Sequence, residues 1–132
     1  MPKTNLSGAK VLRASLIPTA SYVAGLSINC LMADNAAIWI DYTKGNETSL
    51  EVKVEFSPDW PSTADGSSTW IQETSSADAL VVHAYTASGV YRIALADVVA
   101  GKVRVSVKGT TGSDFVGSLV VATAQVRTEG GR

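Results

Sequence analysis

The segment from Thr48 to Ser57 (TSLEVKVEFS) alternates strictly between apolar and polar side chains. Side chains of an extended strand point alternately to its two faces, so this strand has one apolar and one polar face. Strands with one solvated face belong to antiparallel sheets, because parallel strands are usually apolar on both faces. We expect the core-facing side to carry Leu50, Val52, Val54 and Phe56, and the solvent-facing side Glu51, Lys53, Glu55 and Ser57.

Weaker alternation of the same kind recurs along the rest of the chain, interrupted by turn-forming residues. It predicts further strands at 9–17, 22–32, 36–43, 70–73, 79–85, 90–95, 102–108 and 116–127. We expect the short connectors 44–47 and 86–89 to close hairpins. Eight or nine strands without an amphipathic helix indicate an all-β protein. The predicted fold is a two-sheet antiparallel β-sandwich, either jelly-roll or immunoglobulin-like, and a closed barrel is the alternative.

Within these strands the alternation also assigns individual faces. It places Ala24, Leu26, Ile28, Cys30 and Met32 inward in the second strand, and Leu80, Val82 and Ala84 inward around residue 83. His83 is then an outward strand residue. The same pattern places Lys102, Arg104, Ser106 and Lys108 on the outer face of their strand.

The chain of 132 residues is long enough for one domain with its own core. We expect residues 1–8 to form a flexible N-terminal arm, 9–127 a single β-sandwich domain, and 128–132 a loose tail. The first residues contain no long apolar run, which argues against a secretory signal and for synthesis in a cytoplasm. No apolar segment is long enough to span a bilayer, so we expect no membrane association.

Charge and residue chemistry narrow the function. Eleven basic and twelve acidic residues give a net charge of -1, and the basic residues are scattered, which argues against nucleic-acid binding. His83 is the only histidine and Cys30 the only cysteine. Common zinc sites, a G-x-S-x-G nucleophile elbow and glycine-rich phosphate loops are absent. We therefore expect no enzyme activity, no catalytic residues, no cofactor and no metal, with Cys30 as core filler.

Three tryptophans are the candidate site residues. Trp39 lies on the outward register of a strand, while Trp60 and Trp70 flank the longest predicted loop, Pro58–Thr69. They either cover the edges of the sandwich, or contact another protein chain, or form a platform on which sugars stack. Tryptophan is enriched at protein interfaces and their hot spots. We predict that Trp60, Trp70 and Trp39 contact another protein chain.

Part of the sequence also resembles a known protein family. The segment Ile40–Asp59, followed by a tryptophan, by Tyr91-Arg-Ile and by Val103–Lys108, resembles small β-sandwich virion proteins of tailed bacteriophages. The resemblance covers about residues 36–127 and implies a structural role as a capsid decoration (cement) protein or as a neck or tail component. Its implied partners are other copies of the chain and other virion proteins, and its implied location is the virion, after synthesis in the bacterial host. A carbohydrate-binding module is the alternative function, and a cytosolic glycosidase a third.

Overall fold

The structure, a computed structural model, describes residues 4–6, 10–16, 18–31, 34–96, 98–110 and 118–129. Its strands are β1 (Thr4–Leu6), β2 (Lys10–Leu16), β3 (Val23–Ala24), β4 (Ile28–Asn29), β5 (Asn35–Thr43), β6 (Ser49–Ser57), β7 (Ile71–Gln72), β8 (His83–Tyr85), β9 (Gly89–Leu95), β10 (Lys102–Thr110) and β11 (Leu119–Glu129). One 3₁₀ turn, Asp65–Ser67, lies between β6 and β7.

The strands form two antiparallel sheets. In the first sheet β11 pairs with β5, β5 pairs with β9, and both β1 and β2 pair with the other edge of β11. In the second sheet β10 pairs with β6, both β3 and β4 pair with the free edge of β10, and both β7 and β8 pair with that of β6. The predicted all-β, two-sheet antiparallel sandwich is confirmed.

The connectivity is that of a jelly roll. Three pairs of short strands (β1 with β2, β3 with β4, β7 with β8) each share one neighbour, so the described strands fill eight positions, four in each sheet. The first position pairs with the eighth, the second with the seventh, the third with the sixth and the fourth with the fifth. This nested pairing of eight strands in two sheets defines a jelly roll and excludes the immunoglobulin-like order.

Both predicted hairpins are wrong, because each of these two connectors joins strands that lie in different sheets. The connector 44–47 carries the chain from β5 in the first sheet to β6 in the second. Glu47 fixes this corner: its buried carboxylate accepts hydrogen bonds from the Tyr42 hydroxyl, from Gly45 N (3.1 Å) and from Ser118 Oγ (2.8 Å). The connector 86–89 likewise joins β8, which pairs with β6, to β9, which pairs with β5.

The core lies between the sheets and follows the predicted alternation. Leu50, Val52 and Val54 are fully buried, and Phe56 is half-buried against the same core. Facing strands contribute in the same register, with these buried residues: Ile38, Ile40, Tyr42, Ile93, Leu95, Val103, Val105, Val107, Val120, Ala122 and Ala124. Cys30 is buried among them, and burial raises the pKa of its thiol to about 11. The expectation that Cys30 fills the core is confirmed.

The outer face of the second sheet departs from the predicted pattern. Glu55, Ser57, Lys102 and Ser106 were expected to face solvent, yet all four are buried. The loop between β6 and β7 covers Lys102, and two aromatic side chains lie across the rest of this face. The Trp70 ring lies 4.0 Å from the Arg104 guanidinium, and the Tyr22 ring lies 4.5 Å and 4.8 Å from the ammonium groups of Lys53 and Lys108.

Two other local predictions fail. His83 lies directly opposite Val52 in the pairing of β8 with β6, so it faces inward, and Leu80 and Val82 are exposed. The second predicted strand is split at Gly25, where an added Cβ would lie 2.5 Å from the carbonyl oxygen of Leu12.

The split also changes which residues of that segment are buried. Ala24 and Leu26 are exposed there, Ile28 and Cys30 are buried, and Met32 lies outside the described residues.

Part of the predicted N-terminal arm is a strand: Thr4–Leu6 forms β1, paired with Glu129–Arg127 of β11. That part of the arm is therefore an edge strand. The remainder of residues 1–8, apart from 4–6, and the tail beyond Glu129 lie outside the described residues.

Candidate protein-interaction site

The loop between β6 and β7 is fastened to the sandwich by Lys102, the first residue of β10. The side chain of Lys102 is 1% exposed, and its Nζ donates to Thr63 O (2.7 Å), Asp65 Oδ1 (3.1 Å) and Ser68 Oγ. An ammonium group has three protons to donate, so these acceptors satisfy it completely. Because burial of a charge is costly unless it is paired and hydrogen-bonded, this arrangement favours one conformation of the loop.

Trp70 and Asp65 add a second attachment. The indole Nε1 of Trp70 donates to Asp65 O (2.9 Å), and its ring stacks on Arg104, which in turn pairs with Glu55 at 3.2 Å. The carboxylate of Asp65 also accepts from Ser27 Oγ (2.8 Å). Burial alone would raise the pKa of Asp65, but the hydrogen bonds from Ser27 and Lys102 and the nearby positive charges lower it below its usual value. Trp70 thus holds the loop on the sheet.

Asp59 closes the loop at its base. Its Oδ2 accepts from the backbone N–H of Thr69 (2.7 Å) and from Ser57 Oγ (3.2 Å). The N–H of Thr63 donates to Trp60 O (2.9 Å), which forms a tight turn around the tryptophan. The backbone of Trp60 is therefore fixed on both sides, while 69% of the residue's surface is exposed. A large aromatic side chain is presented to solvent on a well-anchored loop.

Two further connections meet this loop at the same end of the sandwich. They are the β4–β5 connection and the β9–β10 connection. Gly101 N donates to Ser57 O (2.8 Å), and Cys30 N donates to Gly101 O (2.9 Å). A Cβ on Gly101 would lie 2.0 Å from Asp59 O, so only glycine permits this close approach. The three connections are tied together through Gly101.

A depression of about 510 Å³ lies between these connections. Its apolar lining comes from Leu31, Pro58, Val98, Val99 and Ala100, with Cys30 beneath. Val99 is 96% exposed, and Leu31 and Pro58 are exposed as well. Among the lining residues that the structure describes, one side chain is charged, that of Asp34. We call Trp60 and this depression together the loop-end surface.

The three predicted interface tryptophans do not form one surface. Trp60 is exposed, Trp70 is half-buried at the other end of the same loop, and Trp39 is half-buried on the outer face of the first sheet. Trp39 has Arg92 beside it, with the guanidinium carbon 6.0 Å from the ring. Consequently Trp60 is the tryptophan that the structure leaves available for a partner, and the interface role of all three stays a prediction.

The single histidine has an electrostatic partner of its own. His83 Nε2 lies 2.9 Å from Glu73 Oε1, and both side chains are partly buried. Within the described ranges, no three His, Cys, Asp or Glu side chains come close enough together to hold a metal ion. No helix in the described part of the chain is long and apolar enough to cross a membrane.

Sequence reasoning missed the residues that build this site around Trp60. Lys102 was assigned to solvent, and Val99 and Gly101 were not singled out. The one available signal was Lys102 itself, a lysine at the start of a strand whose apolar and polar residues alternate. Its position in the sequence does not reveal that a loop covers it. Trp60 itself was identified because it lies at the longest predicted loop.

Comparison with known proteins gives a structural likeness. No protein-family model and no curated protein sequence matches the chain. Among solved structures, the SPBc2 prophage-derived protein YomS is similar, with a TM-score of 0.54 and 16% sequence identity. The match covers 97% of this chain and 96% of that protein. At this level of identity, the likeness shows that the two proteins share a fold over nearly their whole length.

Proposed function

We propose that this chain is a non-enzymatic structural protein of a bacteriophage virion, either a capsid decoration (cement) protein or a neck or tail component. It acts by associating with copies of itself and by docking on a lattice of other virion proteins. It is made in the cytoplasm of the bacterial host and resides in the virion. Neither nucleic acid nor a membrane is a partner in this proposal.

The observation that carries the proposal is the exposed Trp60 on a loop anchored by Lys102 and Asp59. Large aromatic anchors of this kind are typical hot spots of protein interfaces. Because the loop is already held in place, little conformational freedom is left to lose on binding, which favours affinity. The shared fold with a prophage-derived protein supports a phage origin.

Particle composition tests this proposal. Particles of the phage that encodes the chain are purified by density gradient and analysed by quantitative mass spectrometry, with a known capsid protein as the internal standard. We expect this chain in a fixed, symmetry-related ratio to the capsid or tail proteins. Its recovery only in the unassembled fraction of the lysate would overturn the proposal.

The exposed ring of Trp60 also keeps the carbohydrate-binding alternative open, because an exposed indole face is a surface on which sugar rings stack. A glycan array with the purified wild-type protein separates the two functions, and Trp60→Ala serves as the control. Glycan binding that is lost in Trp60→Ala would support the carbohydrate-binding module. No binding by the wild type, together with presence in particles, would support the virion role.

A further inference from the structure

We infer that the loop-end surface is a two-fold self-association site, in which Trp60 of each copy inserts into the depression beside Val99 of the other. This inference rests on the self-association in the proposed function and names the surface that performs it. The side chain of Trp60 and most of the side chains that line the recess are apolar, and both lie at the end of the sandwich where three connections meet.

Exposure supports insertion of the tryptophan. Trp60 is 69% exposed and Val99 is 96% exposed, and they lie in connections that Gly101 joins through its hydrogen bond to Ser57 and its contact with Asp59. Exposed apolar patches of this kind are typical of interaction sites. A recess of about 510 Å³ whose described side chains are mostly apolar suits an aromatic side chain, because the apolar parts of both surfaces lose water on contact.

Charge favours a second copy as the occupant. A two-fold contact brings a surface against itself, so a surface with many charges of one sign would repel its partner. Among the lining residues that the structure describes, Asp34 carries the one carboxylate, and the nearby carboxylate of Asp59 is already bound to Ser57 and Thr69. The net charge of -1 also gives little long-range repulsion between two chains.

The outer face of the second sheet is a poorer candidate for self-association. It contains two ion pairs, Arg104 with Glu55 at 3.2 Å and Lys108 with Glu51 at 3.3 Å, and the ammonium group of Lys53 lies over the Tyr22 ring. The rings of Trp70 and Tyr22 lie over the charged groups of Arg104 and Lys108. A partner on that face would have to displace those contacts, whereas the loop-end surface is open.

Symmetry then predicts a closed dimer. When an inserting side chain and its recess lie at the same end of a chain, a rotation of 180° lets each copy insert its side chain into the recess of the other. Both recesses are then filled, so no further copy can bind at this surface. Each homodimer would contain two equivalent insertions. Loss of one large aromatic anchor weakens association by about 30-fold or more, so the loss of both insertions should weaken it by about 1000-fold.

Sedimentation velocity over a range of protein concentrations tests the inference. We expect the wild type to dimerise, and both Trp60→Ala and Val99→Asp to remain monomeric at concentrations where the wild type is dimeric. The matched control is Val90→Asp, which changes another exposed valine, on β9 in the first sheet, and should dimerise normally. Circular dichroism and melting curves of all three variants should match the wild type, because the altered side chains are exposed.

Mixing the two interface variants is the decisive step. A heterodimer of Trp60→Ala with Val99→Asp keeps one intact insertion, from the tryptophan of the second chain into the recess of the first. The mixture should therefore associate more weakly than the wild type and more strongly than either variant alone. A monomeric wild type, normal dimers of either single variant, or a mixture no stronger than its components would each overturn the inference. Particle composition would still test the virion proposal separately.

Discussion

Glu55 shows how a residue on the outer face of a strand becomes structural. Its carboxylate accepts hydrogen bonds from Ser106 Oγ (2.7 Å) and Arg104 Nε (3.2 Å), and only 9% of the residue is exposed. Arg104 itself is covered by the Trp70 ring. A carboxylate in this position is part of a hydrogen-bonded network, and removal of one member leaves the others without their partner.

We expect Glu55→Ala to lower the free energy of unfolding by about 1 to 3 kcal/mol, the usual cost of leaving buried polar groups unsatisfied. The control is Asp41→Ala on the exposed outer face of β5, which should change stability by less than about 0.5 kcal/mol. Urea-unfolding midpoints of both variants measure the difference. Equal midpoints would mean that the network around Glu55 does not contribute to stability.

The same residues show what alternation can predict. Period-two patterning correctly assigned the inward side of β6 and β10, because the inward side chains must be apolar. It could not show whether the opposite face meets water or another part of the chain. Glu55 and Lys102 are buried by Trp70 and the loop, which are brought there by long-range folding.

At the scale of elements, the buried ammonium group of Lys102 is the most highly connected attachment of the loop between β6 and β7. Lys102 joins Thr63, Asp65 and Ser68, three residues spread along the loop, to the first residue of β10. The loop contains only a short 3₁₀ turn and has no buried residue in it. Its conformation is therefore maintained by polar contacts more than by apolar packing.

Lys102→Met tests this role, because methionine keeps an unbranched chain but has no ammonium group. We expect a loss of about 1 to 3 kcal/mol in the free energy of unfolding, moderated because Asp65 is partly exposed and can be solvated. The loop should also become more susceptible to proteolysis. The control is Lys44→Met, at an exposed lysine, with no expected change. Unchanged proteolysis and stability in Lys102→Met would show that the loop is held by other contacts.

The positions of the long strands were predictable from the chain, but strand pairing was not. The connectors 44–47 and 86–89 have the composition of hairpin turns, yet each crosses between the sheets. Nested pairing joins strands that are far apart in sequence, such as β2 with β11, and local patterns carry no information about such partners. The recess beside Val99 was hidden for the same reason, since three distant connections form it.

At the scale of the whole molecule, one carboxylate helps to secure each end of the sandwich. Glu47 lies in the connection before β6, and Asp65 lies in the loop after it. Burial alone would raise the pKa of Glu47, but hydrogen bonds from Tyr42, Gly45 and Ser118 outweigh it and hold the pKa below its usual value. The pKa of Asp65 is lowered in the same way by Ser27 and Lys102.

Lowered pKa values make the folded state sensitive to acid. A carboxylate whose pKa is lower in the folded than in the unfolded chain stabilises the fold at pH values above its unfolded pKa. That stabilisation is lost as the pH falls from the unfolded value of about 4 through the lower folded value. We therefore expect constant stability from pH 7 to about pH 5 and a steep loss below about pH 4.

Glu47→Gln and Asp65→Asn should each reduce stability at pH 7 and flatten its dependence on pH below about pH 5, because each removes one group that takes up a proton on unfolding. The two sites lie at opposite ends of β6 and share no partner, so the effects should add in the double variant. Urea unfolding at pH values between 3 and 7 measures both quantities. A double variant with the same acid dependence as the wild type would show that other carboxylates control acid unfolding.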